Sequence, residues 1–134
     1  MITLEEIRRY LHFLKDHEVV AYGSYVTGEF REGSDTDVAV ITRSRDTERN
    51  LDLLRSLIGM ARPLYYIRIF ERLPLRVKAS VMSDYVVVYG DELEISEYFY
   101  TYRKLWDDQK QRILGGYFES WKESIDTAVL DNLP

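Results

Sequence analysis

Four residues in the stretch from 23 to 37 could do chemistry together: Gly23, Ser24, Asp35 and Asp37. Gly23-Ser24 interrupts the apolar run Val19-Val20-Ala21-Tyr22. A glycine where a strand turns into a helix start lets the backbone approach a ligand closely, and the amides there suit phosphate oxygens. The Ser24 hydroxyl adds a further donor. Asp35 and Asp37 stand two apart where the run Val38-Ala39-Val40-Ile41 begins, so strand alternation points both carboxylates to one face. Their Cα atoms are then about 6–7 Å apart. Two carboxylates this close repel unless a cation lies between them. A hard, oxygen-seeking ion such as Mg²⁺ is the natural filler, completed by water and substrate phosphates. The chemistry implied is phosphate chemistry at a metal, on a base made rigid by the burial of Val38 and Val40.

The elements that must position these residues are legible from periodicity. Thr3 and Glu6 form a capping box, and Leu4, Ile7, Leu11 and Leu14 recur at helical spacing, which predicts a helix ending near Asp16-His17. Val19 to Tyr22 is a buried strand, followed by a turn or short helix over Tyr25 to Phe30 and a loop at Arg31 to Ser34. Asp37 to Ile41 is a second strand, covered on both faces. Asp46 to Met60 is helical, with Leu51, Leu54, Leu57 and Ile58 on one side. Pro63 precedes a third strand, Leu64 to Phe70. Pro74 opens a short helix to about Met82, and Tyr85 to Tyr89 is a fourth strand stopped by Gly90-Asp91. From Glu92 onward the pattern is helical, and Gly115-Gly116 is expected to break it into a longer and a shorter helix. The class is α/β (α+β): a mixed sheet of about four strands flanked by helices, with helices at the C-terminus. Residues 1–134 are read as one domain, with a core over about 5–90 and a helical segment over about 92–128.

The pattern Gly23-Ser24, ten residues, then Asp35-Thr36-Asp37 resembles the nucleotidyltransferase superfamily related to DNA polymerase beta. More narrowly it is similar to the minimal nucleotidyltransferases, small domains of about this length. Gly28 fits the glycine that often follows the motif serine by four. The resemblance covers roughly Glu5 to Tyr89. It implies a mixed sheet flanked by helices and transfer of a nucleoside monophosphate, such as AMP from ATP, to an acceptor hydroxyl. It implies that Asp35 and Asp37 are catalytic metal ligands for two Mg²⁺ ions, and that Gly23 and Ser24 cradle the β- and γ-phosphates. By the same resemblance such domains are often paired with a separate helical HEPN protein, act as its antitoxin, and modify a tyrosine of the toxin.

The third strand departs from the family pattern. Active members usually carry a third carboxylate there, where this chain has Tyr65 and Tyr66. Glu71, at the far end, is either the third ligand or a solvated strand-end charge. Arg68 shares the parity of Tyr66, and a cation there weakens metal binding or contacts phosphate. A third acid in range of the pair favours an enzyme. Tyr66 or Arg68 in that place favours a catalytically weakened module that binds nucleotide or partner and acts by occlusion.

The remaining residues bound the partners. Tyr98, Phe99, Tyr100, Tyr102, Leu105 and Trp106 spread over more than one helical face, which points to a contact with a helical partner or a homodimer. His12 and His17 have no ligand companion at suitable spacing, and Arg8-Arg9 reads as a solvated helix face. The chain holds 18 Lys and Arg against 23 Asp and Glu, and its net charge of −5 counts against a nucleic-acid substrate. It has no cysteine, so neither a disulfide framework nor a thiolate metal site is available. No apolar run reaches membrane-spanning length, and the acidic, helical start is unlike a signal peptide, so the cytoplasm is the expected compartment.

Overall fold

The computed structural model describes residues 2–28 and 35–126, with side chains described through Arg112. Helix α1 spans Leu4–Tyr10, capped by the Thr3 hydroxyl, which accepts from the Glu6 amide at 3.2 Å. The predicted helix tightens at Leu11 into a 3₁₀ turn over His12–Leu14, yet Ile7, Leu11 and Leu14 remain fully buried. Strand β1 (Glu18–Tyr22) leads into the four-residue helix α2 (Ser24–Thr27), which overlaps the turn or short helix expected over Tyr25 to Phe30; Glu29 and Phe30 lie outside the described residues. The loop expected at Arg31 to Ser34 lies outside the described residues. Strand β2 is Thr36–Ile41, helix α3 is Thr47–Ile58 and strand β3 is Tyr65–Ile69. Phe70, expected to continue that strand, instead opens a 3₁₀ turn over Phe70–Arg72. Helix α4 (Leu75–Ser83), strand β4 (Tyr85–Tyr89) and helix α5 (Glu92–Asp126) complete the order.

The sheet order is β3-β2-β1-β4. β1 is antiparallel to both β2 and β4, whereas β2 and β3 run parallel, joined through α3. The sheet is mixed, as expected, and strand alternation sorts its side chains into two cores. Val19, Ala21, Val38, Val40, Ile67 and Ile69 pack with Ile7, Leu11, Leu14 and Leu57 of the first two long helices and the 3₁₀ turn. Val20, Tyr22, Ala39 and Ile41 pack on the other face with Val81 and Met82 of α4 and Ile95 and Phe99 of α5.

Two expectations are corrected here and one is extended. Helix α5 runs without interruption through Gly115-Gly116. A glycine in a helix costs only about 1 kcal/mol against alanine, and the flanking Gln, Lys, Arg, Ile, Leu and Glu are adequate helix formers. Arg8 and Arg9 are exposed, as expected, and Arg8 has a further role: its Nε donates to the Val88 carbonyl at 2.9 Å, and the Tyr89 hydroxyl donates to the Arg8 carbonyl, which ties α1 to β4. The late aromatics divide in two. Phe99 is fully buried and, with Tyr98 and Tyr102, surrounds Phe70, while Tyr100 and Leu105 are exposed.

Candidate functional site

The end of β1 and the start of β2 are antiparallel neighbours, so Tyr22 lies opposite Asp37, and the Gly23 turn follows directly. Gly23 has φ +74° and ψ −146°, a backbone region that side chains rarely enter. A Cβ on Gly23 would lie 2.7 Å from Asp37 Oδ2. The glycine therefore allows the turn to fold down against the carboxylate, and it opens α2, with Ser24 as the first helical residue. Its carbonyl accepts from the Val26 and Thr27 amides at 3.0 and 3.1 Å. Gly28, at φ +85°, closes this one-turn helix.

Thr36 is buried, and alternation puts Asp35 and Asp37 on the opposite side of the strand from it. Asp35 is exposed and Asp37 half-buried. Burial pushes the Asp37 carboxyl pKa up from its ordinary value; Arg68 pulls it back and Asp35 pushes it further up. A carboxylate in this position gains by pairing with a cation. The two acids and the Gly23 turn are thus brought together, while Glu71 is not. Its carboxylate accepts from the Thr42 amide at 3.0 Å, the Arg43 amide at 3.0 Å and the Tyr98 hydroxyl at 2.6 Å. Thr42 lies five residues beyond Asp37, roughly 16 Å along the strand. Glu71 clasps the far end of the sheet, and the reading of it as a third ligand is corrected. No group of three His, Asp or Glu suited to a metal occurs among the described residues.

The parallel ladder puts Tyr66 directly opposite Asp37 and Arg68 opposite Ala39. Tyr22, Asp37 and Tyr66 therefore stand side by side on one sheet face. Arg68 stacks over the Tyr66 ring at 4.5 Å and donates from Nη1 to the Tyr22 hydroxyl at 3.0 Å. Burial raises the Tyr22 pKa, an effect Arg68 partly offsets. The sequence singled out Tyr66 and Arg68 but read Tyr22 only as a strand residue. Its position just before Gly23 was the available signal.

A model of the nucleotidyltransferase domain matches residues 4–115, reaching past the expected core into α5. A protein of Methanocaldococcus jannaschii named as a candidate protein adenylyltransferase is 36% identical over 107 residues, which are 80% of this chain and 83% of that protein. Two solved structures share the fold. One is a chain of a toxin–antitoxin complex with AMP-PNP, at a TM-score of 0.61 and 14% identity, covering 96% of this chain and 99% of that one. The other is a chain of the complex of tri-AMPylated Shewanella oneidensis HEPN toxin with MNT antitoxin, at a TM-score of 0.55 and 12% identity, covering 94% and 95%. With the Gly23 turn and the Asp35–Asp37 pair already in one place, the extent of the family match is decisive: the chain belongs to the nucleotidyltransferase domain family.

Proposed function

We propose that the chain transfers AMP from ATP to a hydroxyl of a partner protein, as the antitoxin of a HEPN/MNT-type pair. The observation that supports this reading is the close approach of the Gly23 turn to Asp37, where a Cβ on the glycine would lie 2.7 Å from the carboxylate. The naming of the M. jannaschii relative as a candidate protein adenylyltransferase supports the AMP donor and the protein acceptor. The solved complexes with AMP-PNP and with AMPylated HEPN toxin support the pairing.

In this reading the Gly23 and Ser24 amides and the Ser24 hydroxyl hold the terminal phosphates. The acceptor oxygen attacks the α-phosphorus in line, the bond to the β-phosphate oxygen breaks, and pyrophosphate leaves. The acceptor proton passes to solvent or to a carboxylate of the pair. Asp35 and Asp37 are the residues that would hold Mg²⁺, two ions with nucleotide bound. The chemistry the metal supplies is neutralisation of phosphate charge and activation of the acceptor hydroxyl. The donor set fits such an ion in part: two carboxylates on one face, one of them destabilised by burial, without a third acid among the described residues.

That gap favours a second reading. Tyr66 occupies the ladder position opposite Asp37, so the chain is alternatively a weakened module that binds nucleotide or partner and inhibits by occlusion. Calorimetry with ATP and Mg²⁺ tests the shared premise. Binding should be lost in Asp35→Asn/Asp37→Asn, and Ser24→Ala should weaken it by about 1–3 kcal/mol, the value of a hydrogen bond to a charged group. Equal binding by the double variant and the parent would remove the metal and nucleotide assignment.

A further inference from the structure

We infer that the free edge of β3 is a docking site for an extended, acidic segment of the acceptor protein, which adds to the sheet as a strand and brings its hydroxyl beside Asp37. The inference rests on the proposed protein acceptor and says where that acceptor sits.

Three observations converge on this edge. The first is main-chain geometry. Among the described residues, the order β3-β2-β1-β4 leaves β3 with a neighbour on one side only. The Thr36 amide donates to the Leu64 carbonyl at 2.8 Å, so Leu64 turns its backbone groups toward β2. Strand alternation then turns those of Tyr66 and Arg68 the same way, and those of Ile67 and Ile69 toward the open side. Such an edge is a template for another strand. The second is shape. A groove of about 590 Å³ runs along the edge, walled by Leu54 and Ile58 of α3 and by Leu73. Ile58 and Tyr66, which line it, are 58% and 51% exposed, and Met60 and Leu64, between them in sequence, are 55% and 54% exposed.

The third is charge. Arg62, Arg68 and Arg72 all line the groove, and no carboxylate is among its described lining residues. In a chain of net charge −5 this is a local reversal. Arginines on an edge keep two copies from pairing through it, because the like charges repel, and they attract an acidic strand instead. Nucleic acid would use the same cations, but the apolar walls and the outward backbone groups suit a peptide better.

The register links docking to chemistry. A strand added to β3 has one residue opposite Tyr66 or Arg68, and its side chain projects to the face that carries Asp37. Two strand spacings, about 10 Å, separate its backbone from that of β2. A tyrosine reaches further across that distance toward a nucleotide at Asp37 than a serine does.

The test uses the full chain without nucleotide and a fluorescent synthetic peptide that alternates Glu and Val around one Tyr. Anisotropy should show saturable binding below about 1 mM. Arg62→Glu/Arg72→Glu should weaken it at least tenfold while leaving ATP binding unchanged. The same peptide with alternate backbone nitrogens methylated keeps its charge but cannot complete a ladder, and it should not bind. Absence of peptide binding, equal binding of the methylated peptide, an unaffected double variant, or tighter binding of an oligonucleotide of equal charge would each overturn the proposal. Because peptide binding and ATP binding are read separately, failure of the docking site is distinguishable from failure of the proposed function.

Discussion

Gly23 is the residue on which the local geometry turns. An alanine there would meet both a left-handed backbone and the Asp37 carboxylate at 2.7 Å. Gly23→Ala should destabilise the chain by about 1–3 kcal/mol, the usual cost of a side chain in such a conformation, and should abolish ATP binding. Denaturant unfolding and calorimetry check the two effects, and a variant that binds ATP like the parent contradicts the cradle. Asp37 gives a pH signature of definite sign. Its carboxyl is raised in the folded state, so the native chain holds its proton to higher pH than the unfolded chain does. Stability is therefore lost as pH rises through the window between the two pKa values, and the loss persists above it. In EDTA at pH 7, Asp37→Asn should melt above the parent, and the two curves should converge below about pH 3.9, where the unfolded carboxyl is protonated too. A lower melting temperature for the variant at pH 7 contradicts this. The acids and the Gly-Ser turn were legible because each is local in sequence. The Tyr22–Arg68 hydrogen bond joins residues 46 apart and had no local signal.

At the scale of elements, the two ends of the sheet have different tasks. The start of β2 carries the acids, and the far end is closed by Glu71, which bridges Thr42, Arg43 and Tyr98. Arg43 extends the clasp, reaching the Glu18 carboxylate at 2.6 Å and stacking on Tyr98 at 4.7 Å. Glu71→Ala should cost about 3 kcal/mol, within the range for hydrogen bonds to a charged group and the partners left unsatisfied. The folded variant should still bind ATP. A chain of parental stability that no longer binds nucleotide would return Glu71 to the metal site. Strand and helix periods located the four strands and the longer α-helices, and the errors fall where periodicity is silent. It does not register the tightening at Leu11, the 3₁₀ turn after Ile69 or the tolerance of α5 for two glycines. Nor does it say which strands pair, and the Asp37–Tyr66 register that decides how the site departs from the family is a pairing fact.

Across the whole molecule, a net charge of −5 contrasts with the three arginines that line the β3 edge, and no described helix is long and apolar enough to cross a membrane. The aromatic stretch of α5 was read from sequence as contact surface, and only part of it remains available. Tyr102 stacks edge-on against Phe70 at 5.3 Å and against Tyr98 at 5.3 Å, so Tyr102→Glu should unfold the chain rather than dissolve a complex. Circular dichroism and sedimentation separate the two outcomes. Among the described residues of α5, Leu93, Tyr100 and Leu105 are exposed large apolar side chains. The most direct measurement is transfer itself: the purified chain, ATP labelled on the α-phosphate, Mg²⁺ and a HEPN-type partner from the same genome. The account predicts that label becomes covalently attached to the partner and that Asp35→Asn/Asp37→Asn abolishes this. An unlabelled partner that is nonetheless inhibited equally by the parent and the double variant would contradict it.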